Sequence, residues 1–468
     1  MSEEYKREHV FGIDYGTSDF KYGPIALGEE PEVIESRGYF VDRESLMSRL
    51  MSVDKEVVVG RDVRLSGEAL ASAAAEGLAE AGCDVVDIGL VSTPMSYYAV
   101  VHLDADGGIQ VTASHNPPEW NGFKLIKRGG ETLSAGAGME ELRDMVLEGR
   151  FRRGERRGRI EKVDILESYV EFIASKVKLE RPLRIAVDYS NGATAIPFPK
   201  IAERVGLEVE ALNDVPDGRF PGHLPEPRED TLKDLQEFVT REGLDFGAGF
   251  DGDGDRVVFV DDRGRIISGD IALAIFVKHL EKKGKVIFDV SSSSALREII
   301  VEKGCEPVEM RVGRAFLLNA VRELKAVMGG EKSDHFYFPE LWGFDDACYA
   351  VLKMAEIVVK RRRRLSELVD EIPHYPSIPI TTFTCPDELK ARVVEQIARH
   401  YESLGVKVSR IDGVKAYFDD GWVLVRPSNT MPQIKMTAEA KTEERLREIV
   451  DEAKRLITEN IEKAKSSG

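Results

Sequence analysis

Strand-like and helix-like stretches alternate along the first three-quarters of this 468-residue chain, and that alternation limits its fold more than any other feature. Val57–Val59 is a β-branched run, Ala69–Ala81 is Ala-rich and helical, and Asp84–Ile88 returns to strand. Ile109–Ala113 is a strand that runs straight into a Thr-Ala-Ser-His-Asn-Pro loop at residues 112–117, and a helix follows near Gly138–Leu147. The pattern restarts at Ile185–Asp188, and again at Lys285–Val290 with the Ser291–Ser294 turn. Such alternation predicts βαβ units and mostly parallel sheets, with ligand loops beyond the carboxyl ends of strands. The last hundred residues break the pattern. Ile378–Thr384 reads as a strand and Asp387–Leu404 as a helix. Strands near Val406–Ile411, Val414–Phe418, Trp422–Arg426 and Ile434–Thr437 precede a charged helix, Thr442–Glu459. This is the pattern of an antiparallel α+β module. The basic run Lys360–Arg364 reads as the solvated end of a helix, where cations complement the dipole. The expected fold class is α/β: three mixed α/β domains of βαβ type plus a C-terminal antiparallel α+β domain. The expected divisions are 1–155, 156–257, 258–370 and 371–468.

Two loops carry chemistry. Ser114 follows a strand and is a candidate nucleophile or phosphoryl carrier; a turn or helix cap is the bland alternative. Asp251-Gly252-Asp253-Gly254-Asp255-Arg256 follows the strand Asp245–Phe250 and puts three carboxylates on alternate residues. A short bent loop turns all three toward one hard cation, which takes oxygen ligands. An EF-hand would need Gly after the third acidic position and Glu at the twelfth. Here Arg256 and Asp262 stand there, so that reading fails, and a solvated acidic turn is what competes. The two glycines let the backbone fold tightly, and Arg256 beside three carboxylates points to a site that also meets phosphate. A serine that carries phosphate and a caged divalent cation are the parts of phosphoryl transfer.

The net charge of −18 and pI near 5.1 argue against a nucleic-acid partner. An anionic substrate would need its own local Arg and Lys. No apolar run approaches a membrane span, and Met1–His9 is polar with no signal-peptide core, so a cytoplasmic protein with no membrane partner is expected. Cys83, Cys305, Cys348 and Cys385 stand apart, giving neither a disulfide framework nor metal-ligand spacing. Glutamine is scarce beside abundant Glu, Lys and Arg, a lean toward a thermophile.

With these segments in hand, the chain resembles the α-D-phosphohexomutase superfamily, which includes phosphomannomutases, phosphoglucomutases and phosphoglucosamine mutases. Val59-Gly60-Arg61-Asp62-Val63-Arg64-Leu65-Ser66 is similar to its first-domain strand and turn. Thr112–Pro117 through Asn121-Gly122-Phe123-Lys124 is similar to its phosphoserine loop. Pro216-Asp217-Gly218, Pro221-Gly222-His223 and Pro225 resemble its second-domain signature, and Asp251–Arg256 its metal loop. Gly330-Glu331-Lys332-Ser333-Asp334-His335 with Trp342–Asp346 resembles the sugar-specificity region, and Arg426-Pro427-Ser428-Asn429-Thr430 the phosphate loop of the last domain.

The resemblance implies four domains around a central cleft, Mg²⁺ as cofactor, and phosphotransfer between C1 and C6 of a hexose phosphate, mannose or glucose phosphate first. A phosphoserine and a sugar bisphosphate would be the intermediates, the bisphosphate also serving as activator. Ser114 would carry the phosphoryl group and complete the Mg²⁺ shell with Asp251, Asp253 and Asp255. Lys124, Arg256, His115 and Lys21 would complete the catalytic set. Glu331, Ser333, His335, Gly313, Arg314, Arg426, Ser428, Asn429 and Thr430 would hold the substrate. The chain departs from the family at four places. Lys21 stands for an arginine and keeps the charge without the fork. Asp334 stands for a glycine, Arg314 for a histidine, and Asn429 with Met431 for Gly and Glu. Phosphoglucosamine mutase and phosphopentomutase remain alternatives, as does a paralogue that binds sugar phosphate without turnover. Outside the class, Asp14-Tyr15-Gly16-Thr17-Ser18 looks like the phosphate turn of an actin-like ATPase, but no second phosphate loop accompanies it.

Overall fold

A computed structural model describes residues 55–134, 138–150, 154–428 and 431–466, and the backbone alone of 11–13, 19–22 and 40–41. The turn at Asp14–Ser18, Asn429 and Thr430 lie outside the described residues. So does the side chain of Lys21, whose backbone is in the strand Asp19–Tyr22.

The chain gathers into two compact units. One is built from the described residues up to Gly269 together with Ser333–Val369, the other from Asp270–Lys332 and Asp370 onward. In the first unit an eight-stranded sheet runs in the order Phe40–Val41, Phe11–Ile13, Asp19–Tyr22, Asn121–Lys127, Gly107–Val111, Glu56–Arg61, Asp84–Leu90, Ile160–Lys162. The last four are mutually parallel, and the others are antiparallel to their neighbours. The Ala-rich helix Gly67–Glu80 lays Leu70, Ala74 and Leu78 on Val57, Val59 and Val85, and the helix Met139–Leu147 adds Met139 and Leu142 to that core. Small side chains on the helix let it lie close on a β-branched sheet face, which is why this run folds where it does. A second sheet takes the order Glu208–Leu212, Arg184–Asp188, Phe246–Phe250, Val257–Asp261, Ile266–Ile267, with only the first three parallel. The hairpin Phe336–Phe338 with Phe344–Asp345 and the helix Ala347–Arg361 complete the unit. That helix ends with Lys360 and Arg361 in its last turn, as the basic run predicts.

In the second unit Lys285–Asp289 pairs in parallel with Glu306–Met310 and Met328–Gly330. The C-terminal segment is a wholly antiparallel sheet ordered Thr381–Thr384, Gln433–Ala440, Gly421–Pro427, Val414–Phe418, Lys407–Ser409. Helices Asp387–Ser403 and Glu443–Ser466 cover it, burying Val393, Ile397, Ile449 and Ile457 on Val423 and Val425. The expected α/β class with an antiparallel α+β end is what is found. One expectation needs correcting. The sheets of the first unit are mixed, because the strand after each chemical loop turns back antiparallel instead of crossing over.

Candidate active site

The Ser114 loop leaves Gly107–Val111 and returns as Asn121–Lys127, with Val111 opposite Phe123 and Gln110 opposite Lys124. The Asp251 loop likewise joins Phe246–Phe250 to Val257–Asp261, with Phe250 opposite Val257. Each loop is a hairpin connection anchored at both ends, and that positions its side chains better than a free loop does. Ser114 sits at φ 51°, a left-handed conformation uncommon for a residue with a Cβ, and its N–H donates to Thr112 Oγ1 at 2.8 Å. Gly252 is required where it stands, since a Cβ there would lie 2.7 Å from the Ser114 carbonyl oxygen. The two loops therefore touch backbone to backbone.

The side chains converge in the same place. Ser114 Oγ donates to Asp251 Oδ2 at 2.9 Å, and His115 Nδ1 lies 3.3 Å from Ser114 Oγ. Lys124 Nζ donates to Asp253 Oδ2 at 2.8 Å and to Asp255 Oδ2 at 2.5 Å. Thr93 donates its N–H to the Asp253 carbonyl at 2.8 Å and its hydroxyl to Asp253 Oδ2 at 2.5 Å. Asp251 Oδ1 accepts the Gly254 and Arg256 N–H groups at 2.8 and 3.3 Å, which closes the acidic turn on itself. Burial and the neighbouring Asp253 and Asp255 push the Asp251 carboxyl well above the usual carboxylate range. On Asp253, burial and Asp255 act upward, yet the Lys124 ammonium and the Thr93 hydroxyl outweigh them and its carboxyl titrates below that range.

Ligand oxygens of Asp251, Asp253 and Asp255 lie within 4.8 Å of one another, and all three residues are buried. Asp253 Oδ1 has no hydrogen-bond partner among the described residues although it is buried, an arrangement that a cation satisfies. An all-oxygen donor set fits a hard divalent ion such as Mg²⁺.

Beside the carboxylates, Arg256 Nε donates to His335 Nε2 at 2.9 Å. That fixes the tautomer: Nε2 accepts, so Nδ1 carries the proton and donates to Asp345 Oδ2 at 2.7 Å. Ser333 and Asp334 precede His335 in the same unit. Asp334 takes φ 72° and accepts the Val257 N–H on its carbonyl at 3.3 Å. Asp is among the residues that enter the left-handed region most readily, which suits a position where the family has glycine.

The second unit holds Glu331, Gly313, Arg314, Arg426 and Ser428. Glu331 is buried, Gly313 takes φ 137°, and Arg314 is the buried first residue of the helix Arg314–Glu323. Arg426 is the penultimate residue of the strand Gly421–Pro427, with Asp412 Oδ2 at 3.7 Å from its guanidinium. Ser428 Oγ accepts the Met431 N–H at 3.3 Å.

Sequence reasoning missed several residues. Thr93 holds Asp253 from outside any of the motifs, and Asp345, although it lies in the Trp342–Asp346 stretch, has no role predicted for it there. Lys390 Nζ, on the helix Asp387–Ser403, donates to the Ser428 and Met431 carbonyls at 2.6 and 3.0 Å. Lys435 stands directly opposite Arg426 across two strands. Burial and then Arg426 lower its pKa. Like charges opposite one another destabilise a sheet, so this pair makes sense where an anion arrives. The strand pattern Gln433–Ala440 gave the signal, but only once its register was known.

Sequence models of phosphoglucomutase/phosphomannomutase α/β/α domains I, II and III match residues 43–153, 167–264 and 268–375, and that of the C-terminal domain matches 383–456. The chain belongs to the phosphoglucomutase/phosphomannomutase family. It is thus a member of the α-D-phosphohexomutase superfamily, four-domain isomerases of the mutase type. It is 37% identical over 420 residues to the phosphoglucomutase/phosphomannomutase of Thermococcus kodakarensis, a match covering 86% of this chain and 90% of that one. It is 39% identical over 416 residues to a probable phosphoglucosamine mutase of Methanopyrus kandleri, with 87% and 91% covered. The crystal structure of a phosphoglucomutase/phosphomannomutase family protein from Burkholderia thailandensis superposes with a TM-score of 0.84 at 31% identity, covering 96% of this chain and 97% of that one. Among the described residues no helix is long and apolar enough to cross a membrane.

Proposed function

We propose that this phosphohexomutase is Mg²⁺-dependent and moves a phosphoryl group between C1 and C6 of a hexose phosphate, glucose or mannose phosphate first, with Ser114 as carrier. One observation carries the reading: Ser114 Oγ lies 2.9 Å from Asp251 Oδ2, beside two further buried carboxylates that share the Lys124 ammonium. Asp251, Asp253 and Asp255 would hold the ion, which when bound supplies Lewis-acid stabilisation of charge on the transferring oxygens. Ser114 is held by Asp251 and, once phosphorylated, would offer a further oxygen to the ion. Lys124 and Arg256 bring positive charge toward the phosphoryl group, and His115 lies within reach of Ser114 Oγ for proton traffic. The Asp345–His335–Arg256 chain keeps the guanidinium oriented. In the second unit Arg426, with Ser428, Asn429 and Thr430, would hold the non-reacting phosphate. Glu331 and Ser333 would meet sugar hydroxyls, and Gly313 and Arg314 would border the substrate; Lys21 would add charge at the phosphoryl group. The reading further includes a hexose bisphosphate intermediate, a cytoplasmic location, and functional segments at 1–155, 156–257, 258–370 and 371–468.

A second reading has its own support. Relatives in Methanopyrus kandleri and Methanothermobacter thermautotrophicus, both 39% identical, are named probable phosphoglucosamine mutases. Isomerisation assays on glucose 1-phosphate, mannose 1-phosphate, glucosamine 6-phosphate and ribose 1-phosphate, with Mg²⁺ and a bisphosphate primer, decide between the sugars. Turnover that survives chelator would remove the metal from the mechanism. Full activity in Ser114→Ala would remove the carrier.

A further inference from the structure

We propose that Arg64 is the positioning residue that holds the Ser114 loop in place for phosphoryl transfer, an inference that rests on Ser114 being the phosphoryl carrier. Arg64 is 1% exposed, and every one of its five guanidinium hydrogens has an acceptor. Nη2 donates to the carbonyls of Ser114 at 2.8 Å and Asn116 at 2.6 Å. Nη1 donates to those of Pro117 at 2.6 Å and Trp120 at 2.8 Å. Nε donates to Asp62 Oδ2 at 3.1 Å. One planar fork thus ties down four carbonyls spread from Ser114 to Trp120.

The arrangement is built from both sides. Asp62 takes the Arg64 N–H on Oδ1 at 3.0 Å and the Thr112 hydroxyl on Oδ2 at 2.7 Å. Thr112 in turn accepts the Ser114 N–H. The Phe220 ring lies under the guanidinium, 5.1 Å from Cζ to centroid. The peptide of Ser114 is therefore held at its N–H through Thr112 and at its carbonyl by Arg64. Such bracing is what a serine at φ 51° needs to stay in a sparsely populated conformation. A guanidinium with no donor left over does not bind substrate. Its effect on the reaction passes through Ser114, which must return to the same place each time it gains or loses a dianion, since an error near 1 Å costs on the order of a hundredfold in rate. Lysine offers three donors from a single atom and cannot span these acceptors.

The test uses the full chain with Arg64→Lys and Phe220→Leu, the second loosening the shelf beneath the guanidinium while leaving its five hydrogen bonds in place. Measurements are kcat and KM on the preferred sugar phosphate, thermal melts, and the rate at which Ser114 takes phosphate from a hexose 1,6-bisphosphate, read by intact mass. For Arg64→Lys, kcat and the loading rate should fall about tenfold or more with KM within about twofold, the signature of an interaction that matters to the transition state alone. Phe220→Leu should shift both in the same direction by less. A raised KM at constant kcat, or a lower melting temperature with kcat per folded molecule unchanged, would overturn the proposal. If Arg64→Lys does not fold, an unchanged kcat and loading rate in Phe220→Leu overturns it. A wild-type chain that neither turns over nor takes phosphate at Ser114 overturns the carrier reading itself, and this proposal with it.

Discussion

Lys124 shows how much one side chain decides at this site. The residue is 1% exposed, and its ammonium answers two of three clustered carboxylates. Replacing it by methionine keeps the volume and leaves Asp253 and Asp255 facing Asp251 uncompensated. Removing one partner of a buried ion pair costs about 3–5 kcal/mol. We expect Lys124→Met to melt lower than wild type and to recover more of that loss when Mg²⁺ is added, since a ligand that binds only the folded state stabilises it by mass action. Scanning calorimetry with and without Mg²⁺ checks this, and equal Mg²⁺ shifts in both proteins would contradict it. Asp334 poses a second question at the scale of one residue. If its carboxylate meets the sugar, Asp334→Gly moves the ratio of kcat/KM between glucose, mannose and glucosamine phosphates by about tenfold, ~1.4 kcal/mol of differential binding. A uniform change would leave Asp334 as a turn residue, for which glycine at φ 72° is the easier fit. The residues that converge on the Ser114 and Asp251 loops were legible because each loop carries its own donors in a short span. The roles of Thr93, Arg64 and Asp345 were not, although the last two stand in motifs, because what marks them is the carboxylate, the carbonyls or the imidazole that each reaches in the fold.

At the scale of the element, legibility followed periodicity. The Ala-rich helix, the β-branched strands and the alternating C-terminal strands fall within a few residues of their predicted places, because each buries one face with its own period. The antiparallel returns after Val111 and Phe250 were hidden, since strand direction is set by pairing and leaves no trace in composition. Helix capping supplies a prediction here. Asp346 caps the helix Ala347–Arg361, accepting the Tyr349 N–H at 2.9 Å and the Tyr169 hydroxyl at 2.7 Å. Burial pushes its carboxyl up to about 7, against these hydrogen bonds. A carboxyl with a raised folded-state pKa holds a proton that the unfolded chain has released. Its contribution is present in full below the unfolded pKa near 4 and is lost as pH rises through about 7. The loss is at most about 4 kcal/mol. Asp346→Asn should therefore gain stability relative to wild type across this window, with the difference flat above it. Urea titrations at several pH values measure it, and a pH-independent difference would refute it.

For the whole molecule, charge is the constraint. A chain of net charge −18 repels a sugar phosphate at long range, so its cations must be gathered where phosphate binds. They are gathered twice: Lys124 and Arg256 in the first unit beside the carboxylates, Arg426 and Lys435 side by side in the second. If the first group serves the transferring phosphoryl and the second the stationary one, kinetic effects separate by unit. The stationary phosphate is held equally in ground state and transition state, so losing a cation there raises KM and spares kcat. Arg426→Gln and Lys435→Gln should each raise KM about tenfold or more, leave kcat within about threefold, and leave the phosphate on Ser114 intact by mass spectrometry. Lys124→Met should do the opposite, lowering kcat steeply while KM moves little. Arg426 and Lys435 adjoin one another, so the double substitution should cost less than the sum of the two singles, because the first loss also relieves their mutual repulsion. Steady-state kinetics of the four variants decides it: a kcat loss from Arg426→Gln comparable to that from Lys124→Met would show that both groups act on the reacting phosphoryl.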